Sequence, residues 1–303
     1  MAPPTLALVH RVGRGVAAVA AAGVGCAVYG ALIERNLFTL RRFDVPVLPA
    51  GEPPIRVLHI SDLHITAAQE RKKRWVRELA RLKPDLVVNT GDTISDPNAI
   101  PAILETLEPL VQFPAAFVPG NNDYYIPTPR SPVAYFSGRE PQLRRPDMPW
   151  PELATAMVEQ GWFDLTHLRT VLPIGAATVA LAGVDDPHLH RARYEQIAGP
   201  RADATVGIGL VHSPEPELIE RFAEDGYELV LAGHTHGGQI RVPFGPAIVT
   251  NCGIDVHRAR WLHRWDERTW FHVSAGVGTN PFMPIRFACL PEASLLTLVP
   301  RAD

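Results

Sequence analysis

Cysteine is scarce in this chain: three in 303 residues, at Cys26, Cys252 and Cys289, with no CxxC pair and no regular series. They outline no disulfide framework and say little about redox compartment. An excess of one charge is also missing. Lys and Arg number 29 against 32 Asp and Glu, a net charge of −3. No basic field therefore exists to grip nucleic acid by its phosphates, and no nucleic-acid partner is indicated. No internal repeat is present. With 46% hydrophobic and 20% charged residues, the composition is that of a globular protein with a large core. The length suits one α/β domain with a short appendage. Proline is plentiful, at thirty residues, and points to a loop-rich surface.

One long uncharged run stands apart. VAAVAAAGVGCAVYGALI (16–33) is eighteen residues, a length at which a helix just spans a hydrocarbon core. Arg11 and Arg14 precede it and Arg35, Arg41 and Arg42 follow, so the flanks do not set an orientation. Residues 1–35 are read as an N-terminal transmembrane helix, a single-pass anchor in the cell membrane. A cleaved signal sequence, a lipoprotein signal ending at Cys26 and a buried core helix are the competing readings, and Gly23 occupies a place where a lipoprotein signal wants a larger apolar residue. Residues 36–54 mix aromatic, basic and proline residues and read as a linker. The main domain is expected over 55–303.

From Ile55 a pattern recurs: a short apolar run suited to a buried strand, a turn rich in Gly, Asp, Asn or His, then often an amphipathic helix. The runs are 55–60, 86–90, 115–118, 178–182, 206–211 and 228–232. Strands of this kind separated by helices predict an α/β sheet covered on both faces. Helices are predicted from Asp96-Pro97 to Phe113-Pro114 and over 217–225 before Gly226. The RKKR run at 71–74 reads as the solvated face of a helix whose apolar side carries Trp75, Leu79 and Leu82. After His236, the runs QIRV, AIVT, TWFHVS, IRFA and SLLTLV suggest a second, largely antiparallel sheet. The proline-rich stretch 124–151 reads as a long loop over the active-site end.

The polar residues fall at repeated places. Asp62 and His64 follow the first apolar run, Asp92 the second, Asn121 the third, His212 the fifth, and His234 with His236 the sixth. In an open α/β sheet the crevice beyond the carboxyl ends of the strands is where ligands bind. Five segments thus deliver carboxylate, imidazole and amide groups to one rim. A mixture of oxygen and imidazole donors suits Mn, Fe or Zn better than calcium or magnesium. Seven ligands exceed the need of one open catalytic ion. Two divalent transition-metal ions sharing a carboxylate would generate a nucleophile from water and stabilise an in-line phosphoryl displacement.

SDLH, TGD, GNND, VHSP and GHTHGGQI, in this order, resemble the calcineurin-like metallophosphoesterase superfamily, in its membrane-associated or exported bacterial branch. The resemblance covers about 55–300. It implies two mixed sheets packed face to face with helices outside, a four-layer sandwich. It also implies that Asp62, His64 and His236 hold one ion, that Asn121, His212 and His234 hold the other, and that Asp92 bridges them.

The sequence departs from the family where a histidine usually follows the ligand asparagine, supported by the last aspartate of GDxxD. Asn122 and Ser95 stand there. Asparagine can donate a hydrogen bond to a phosphate oxygen but gives up no proton at neutral pH. His188, His190 and His257 are the alternative acids, each read first as a surface histidine. His59 is read as support for the core or the ligands, and Asp185-Asp186 as a loop segment or an ordinary turn. Trp261, Trp265 and Trp270 could bind an apolar or base-like substrate, although packing explains Trp270 more simply. The function expected is hydrolysis of a phosphomonoester or phosphodiester by a metal-activated water, with Asn122, Asp92 and His234 as the catalytic set. A lipid-linked phosphoester would suit the anchor. The alternative is a membrane-tethered protein that binds metal and phosphate with little turnover.

Overall fold

The computed structural model describes residues 4–129 and 146–301. Its strands are β1 (Thr39–Leu48), β2 (Ile55–Ile60), β3 (Leu86–Asn89), β4 (Ala115–Phe117), β5 (Trp162–Asp164), β6 (Leu168–Ile174), β7 (Ala177–Gly183), β8 (Val206–Leu210), β9 (Leu229–Ala232), β10 (Trp261–Arg264), β11 (Trp270–Val273) and β12 (Glu292–Pro300). Its α-helices are α1 (Pro4–Leu32), α2 (Glu70–Glu78), α3 (Ile100–Leu107), α4 (Trp150–Glu159) and α5 (Pro216–Glu224). One sheet runs β1-β12-β2-β3-β4-β5 and the other β10-β11-β9-β8-β7-β6. Both are mixed. In the first, β12 pairs antiparallel with β2 while β2, β3, β4 and β5 run parallel; in the second, β7, β8, β9 and β11 run parallel between antiparallel β6 and β10.

Alternation of side chains along the strands assigns three cores. Val57, Val88, Ala116, Val179, Ile208 and Leu231 meet between the sheets. Leu58, Ile60, Val87 and Phe117 point the other way, onto Val76 of α2, Ile103 of α3 and Leu153 of α4. Val211, Val230 and Phe271 receive Leu218, Ile219 and Phe222 of α5. The expected order of layers, helix, sheet, sheet, helix, follows from both sheets being apolar on two faces. Each such fully buried aliphatic side chain contributes about 1.5–3 kcal/mol.

The division of strands differs from the expectation. The six runs before His236 split three and three between the sheets, and SLLTLV is β12, inserted between β1 and β2. Its first residues are buried on both faces, the mark of a central strand, which order along the chain does not reveal. QIRV, AIVT and IRFA form only the isolated bridges Ile240–Phe287 and Arg241–Ala247. The linker expected over 36–54 holds β1, an edge strand whose Val45, Val47 and Leu48 are buried; the edge is where Pro46 is tolerated. Of the loop expected over 124–151, residues 130–145 lie outside the described residues, and its end is already helical in α4. Asp96 does not cap α3: its carboxylate accepts from Asn98 N, an Asx turn one residue before Ala99 enters the helix.

Two histidines occupy the inter-sheet layer. His59 of β2 and His272 of β11 are buried, with Nδ1 atoms 3.0 Å apart, and His59 Nε2 lies 2.9 Å from Thr90 Oγ1. One nitrogen of the pair donates and the other accepts, so at least one ring is neutral. Burial pushes His59 down to about 3 and His272 well below its ordinary value. The unfolded imidazoles take protons near pH 6.5 and the folded ones do not, so this stability is full above pH 6.5 and is lost as pH falls toward 3. The thermal midpoint should therefore drop steadily from pH 7 to pH 5. The double variant His59→Gln, His272→Leu should show a shallower slope by scanning calorimetry, and an unchanged slope would remove the pair from acid sensitivity.

Candidate metal centre

The parallel strands of both sheets end at one rim. Asp62 and His64 follow β2, Asp92 follows β3, Asn121 follows β4, His212 follows β8, and His234 and His236 follow β9. The turns are sharp. Asp62, His64, Asp92, His234 and His236 have φ of 50°, 44°, 53°, 67° and 49°, the left-handed region that non-glycine residues seldom enter. Such conformations cost on the order of 1–3 kcal/mol each and persist where the surroundings fix them. Here Asp62 N donates to Gly91 O, His64 N to Asp92 O and Gly233 N to His212 O, at 2.8–2.9 Å, tying successive turns together. Gly120 is required for a different reason: a Cβ there would strike the Asp92 carboxylate.

Asp62, His64, Asp92 and His236, all buried, bring one ligand atom each within 4.8 Å of one another. His236 Nε2 is 3.5 Å from Asp62 Oδ1 and 3.4 Å from His64 Nε2. Asp92 faces both ways: Oδ2 is 3.5 Å from His64 Nε2 and Oδ1 is 3.4 Å from His212 Nε2. On the far side His234 Nδ1 lies 3.1 Å from Asn121 Oδ1, and the His212 and His234 rings meet edge to face at 5.2 Å. The structure thus brings all seven residues singled out in the sequence together, three on each side of Asp92: Asp62, His64 and His236 on one, Asn121, His212 and His234 on the other.

Burial pushes Asp62 up to about 6 and His64 down to about 4. Burial also disfavours charge on Asp92, yet His212, His64 and Asn122 hold its carboxyl well below the ordinary range. Against the same burial, Asp92, Asp62 and Asp186 raise His212 well above its usual value. The centre therefore draws positive charge. His212 Nδ1 donates to Thr90 O at 2.7 Å, while Nε2 is buried without a hydrogen-bond partner among the described residues. A buried ring nitrogen without a partner, aimed at a carboxylate within a mixed N/O donor set, fits a divalent metal ion.

Several residues that position the ligands carry no sequence signal of their own. Asp123, quoted only as the end of GNND, is buried and accepts from four backbone N–H groups: Asp92 and Gly120 on Oδ2 at 2.8 Å each, Thr93 and Ile94 on Oδ1 at 2.7 and 3.1 Å. It clasps the Asp92 turn to the Asn121 turn. Lys72 and Lys73 of the RKKR run are buried, contrary to the solvated face expected. Lys72 Nζ donates to the carbonyls of Leu63 and His64, bracing the first turn, and burial followed by Arg286 and Arg35 lowers it to about 7. Charge at helical spacing gave no sign that one lysine turns inward. Arg286 is buried too, donating to the carbonyls of Ala275, Gly276 and Gly278 and reaching His236 Nδ1 at 3.4 Å.

Asn122 is committed to Asp92: its N–H donates to Oδ1 at 2.7 Å and its Nδ2 to Oδ2 at 2.6 Å. Ser95 is turned toward a metal-side histidine. Its Oγ lies 2.9 Å from His64 Nδ1, where it orients that ring. Of the alternative acids, the structure brings His188 to the centre, its ring 4.6 Å from that of His234. His257 lies on an exposed turn. Asp186 is buried and pushed up to about 7 by burial, with Asp92 adding and His212 opposing; its carboxylate accepts from the N–H groups of His188 and Leu189. Asp185 accepts from Tyr124 OH and Arg191 Nε, at 2.8 and 2.9 Å. This segment is therefore part of the rim and not an ordinary turn. Trp261 and Trp265 spend their indole N–H groups on Glu292 and Glu220, and Trp270 packs against the inter-sheet core.

Comparison with known proteins agrees with this geometry. The sequence model described as calcineurin-like phosphoesterase matches residues 55–238. The chain is 30% identical over 288 residues to the uncharacterized protein YpbG of Bacillus subtilis strain 168, covering 94% of this chain and 95% of that one. It is 27% identical over 276 residues to the uncharacterized metallophosphoesterase YkuE of the same organism, covering 88% and 86%. To phosphodiesterase YaeI of Escherichia coli K12 it is 23% identical over 281 residues, covering 88% and 90%. By the sequence-model match and by its likeness to YpbG over nearly its whole length, the chain belongs to the calcineurin-like phosphoesterases.

Proposed function

We propose that the protein hydrolyses phosphodiesters with two transition-metal ions, held by Asp62, His64 and His236 on one side and by Asn121, His212 and His234 on the other, with Asp92 shared. The observation that carries this reading is the Asp92 carboxylate, whose two oxygens each face a different imidazole at 3.4 and 3.5 Å. Ions bound there would supply an acidified water and neutralise the phosphoryl oxygens. The chain's own residues do the rest. Asn122 fixes the orientation of Asp92 through two hydrogen bonds and, having no proton to give, cannot assist the leaving group. Substrates whose leaving groups depart unaided are therefore favoured. A phosphodiester fits that requirement when the departing alcohol is acidic, and the likeness to a protein named a phosphodiesterase supports the class.

We read α1 as a membrane anchor. Its segment Arg14–Asn36 has a mean hydropathy of 2.1 and only 6% of it is buried against the domain, which argues against a core helix. A lipid-linked phosphoester is then the substrate closest to hand. The test is metal analysis of purified full-length protein together with hydrolysis of an aryl phosphodiester. About two ions per chain and Mn-dependent turnover are expected; under one ion per chain in excess metal would sink the two-ion reading. The Asn122 substitution favours a second reading, a tethered protein that binds metal and phosphate with little turnover. Metal-loaded protein that binds phosphate but turns over no phosphoester would decide for it.

The role of Asn122 makes its own prediction. Asn122→His should raise turnover of alkyl phosphodiesters by roughly 10²-fold and change aryl substrates little, the range of general acid catalysis. Ser95 should stay in place, since an aspartate there would disturb His64. Equal effects on both substrate types would remove position 122 from leaving-group chemistry.

A further inference from the structure

The anchor helix is joined to the domain by more than its covalent continuation. Gly30 packs so closely on the carbonyl of Arg286 that a Cβ would collide with it, and Arg286 N donates to Gly30 O at 3.3 Å. Tyr29 meets Phe287 edge to face at 6.5 Å. Glu34, buried, accepts from Cys289 N at 2.6 Å. The last turns of α1 are thus docked on segment 285–289, which also carries Arg286, the residue beside His236. This fixes the depth of the segment. Gly30 lies three residues, about 4.5 Å along the axis, inside the end of the apolar run at Ile33, so residues 285–287 sit where hydrocarbon gives way to headgroups.

Two loops extend from that segment. Residues 239–241 are bonded to it through Arg241 N to Phe287 O, Phe287 N to Gln239 O and Gln239 Nε2 to Met283 O. The chain then turns back at the Arg241–Ala247 bridge, with Phe244 at the tip in a left-handed conformation, φ 62°. Phe244 is 109% exposed, and Val242, Ile248 and Phe282 on the same two loops are 56%, 52% and 49% exposed. Single exposed apolar residues are ordinary, whereas four on two mutually bonded loops form a patch that water disfavours. Where α1 ends, a recess of about 350 Å³ is lined by Phe38, Trp75, Arg71, Arg74 and Glu78 among others, with the Phe38 and Trp75 rings stacked at 5.4 Å. Paired aromatics beside arginines are the chemistry of the headgroup layer.

We propose that these loops enter the bilayer interface, so that the domain rests on a lipid surface at the α1 end with Val242, Phe244, Ile248 and Phe282 inserted and the Arg71–Arg74 recess at headgroup level. The proposal rests on the anchor reading of α1 and goes beyond it, because a tether alone would leave the loops in water. The metal centre, one residue contact from this segment through Arg286 and His236, is thereby held at a fixed height above the lipid.

The experiment uses full-length protein reconstituted in phosphatidylcholine–phosphatidylglycerol vesicles, with an environment-sensitive fluorophore on one cysteine at a time. Native Cys26, in a Cys252→Ser background, reports on α1. Phe244→Cys and Phe282→Cys, in a Cys26→Ser, Cys252→Ser background, report on the loops, and Phe163→Cys on β5 at the far edge of the sheet is the aqueous control. Retained metal content certifies each variant as folded. Iodide should quench the labels at 26, 244 and 282 roughly threefold or more weakly than the label at 163, as expected for interfacial burial. Quenching at 244 and 282 equal to that at 163, with Cys26 protected, overturns the docking and leaves the anchor standing. Quenching at Cys26 as well overturns both.

Discussion

Asp92→Asn is expected to abolish hydrolysis, lowering kcat by at least about 10³-fold, or about 4 kcal/mol in the barrier, and to bring metal content from two ions toward one or fewer. The geometry dictates this. The Asp92 oxygens face His64 on one side and His212 on the other, and each oxygen also accepts a bond from Asn122. An amide NH₂ in place of Oδ2 would point a donor at the Asn122 Nδ2 donor and at His64, and in place of Oδ1 at the Asn122 N–H and His212. Either orientation leaves a buried donor unmet, at about 1–3 kcal/mol, in addition to losing the charge that raises His212. Metal analysis and aryl phosphodiester turnover of the same preparation check it. A variant that keeps two ions and a tenth of the activity would show that Asp92 bridges nothing.

The same neighbourhood shows what a sequence can and cannot display. The rim residues were legible because five of the six apolar runs are followed by candidate polar residues, a regularity along the chain that the parallel strands bring to one rim. The sheet boundaries were not legible. β12 reads as one more apolar run after a series of short ones, and only its pairing with His59-bearing β2 and with β1 shows that the C-terminal strand closes the first sheet. Lys72 was hidden for a related reason. Helical periodicity gives the direction of a side chain about the axis, but the two carbonyls that receive its Nζ come from a left-handed turn eight and nine residues earlier. Arg286 lay further out of reach, since its partners are backbone carbonyls, which every sequence possesses. Ser95 was legible as a departure from the family pattern and misplaced in role, because the pattern names a partner by position while the fold turns the hydroxyl toward His64. His188 belonged to the site without a motif, brought there by the turn that Asp186 stabilises.

Asp123→Asn should be nearly as damaging to stability as Asp92→Asn is to turnover, although it keeps the shape of the side chain. Four N–H groups converge on this carboxylate in two pairs, one pair per oxygen. Whichever oxygen becomes NH₂, two backbone donors meet a third donor, and no water reaches a residue with no exposed surface. At about 1–3 kcal/mol for each unmet buried donor the loss is about 2–6 kcal/mol, a large share of the 5–15 kcal/mol that stabilises a domain. The loss should appear as a lower urea midpoint in metal-free protein, and it should be partly recovered when Mn is added, because ions bound at Asp92 and Asn121 hold from one side the two turns that Asp123 holds from the other. A surface aspartate such as Asp266, replaced in the same way, should move the midpoint far less. An Asp123→Asn protein with an unchanged midpoint would mean that the two turns are fixed by their strands alone, and the left-handed conformation at Asp92 would then need another source of support.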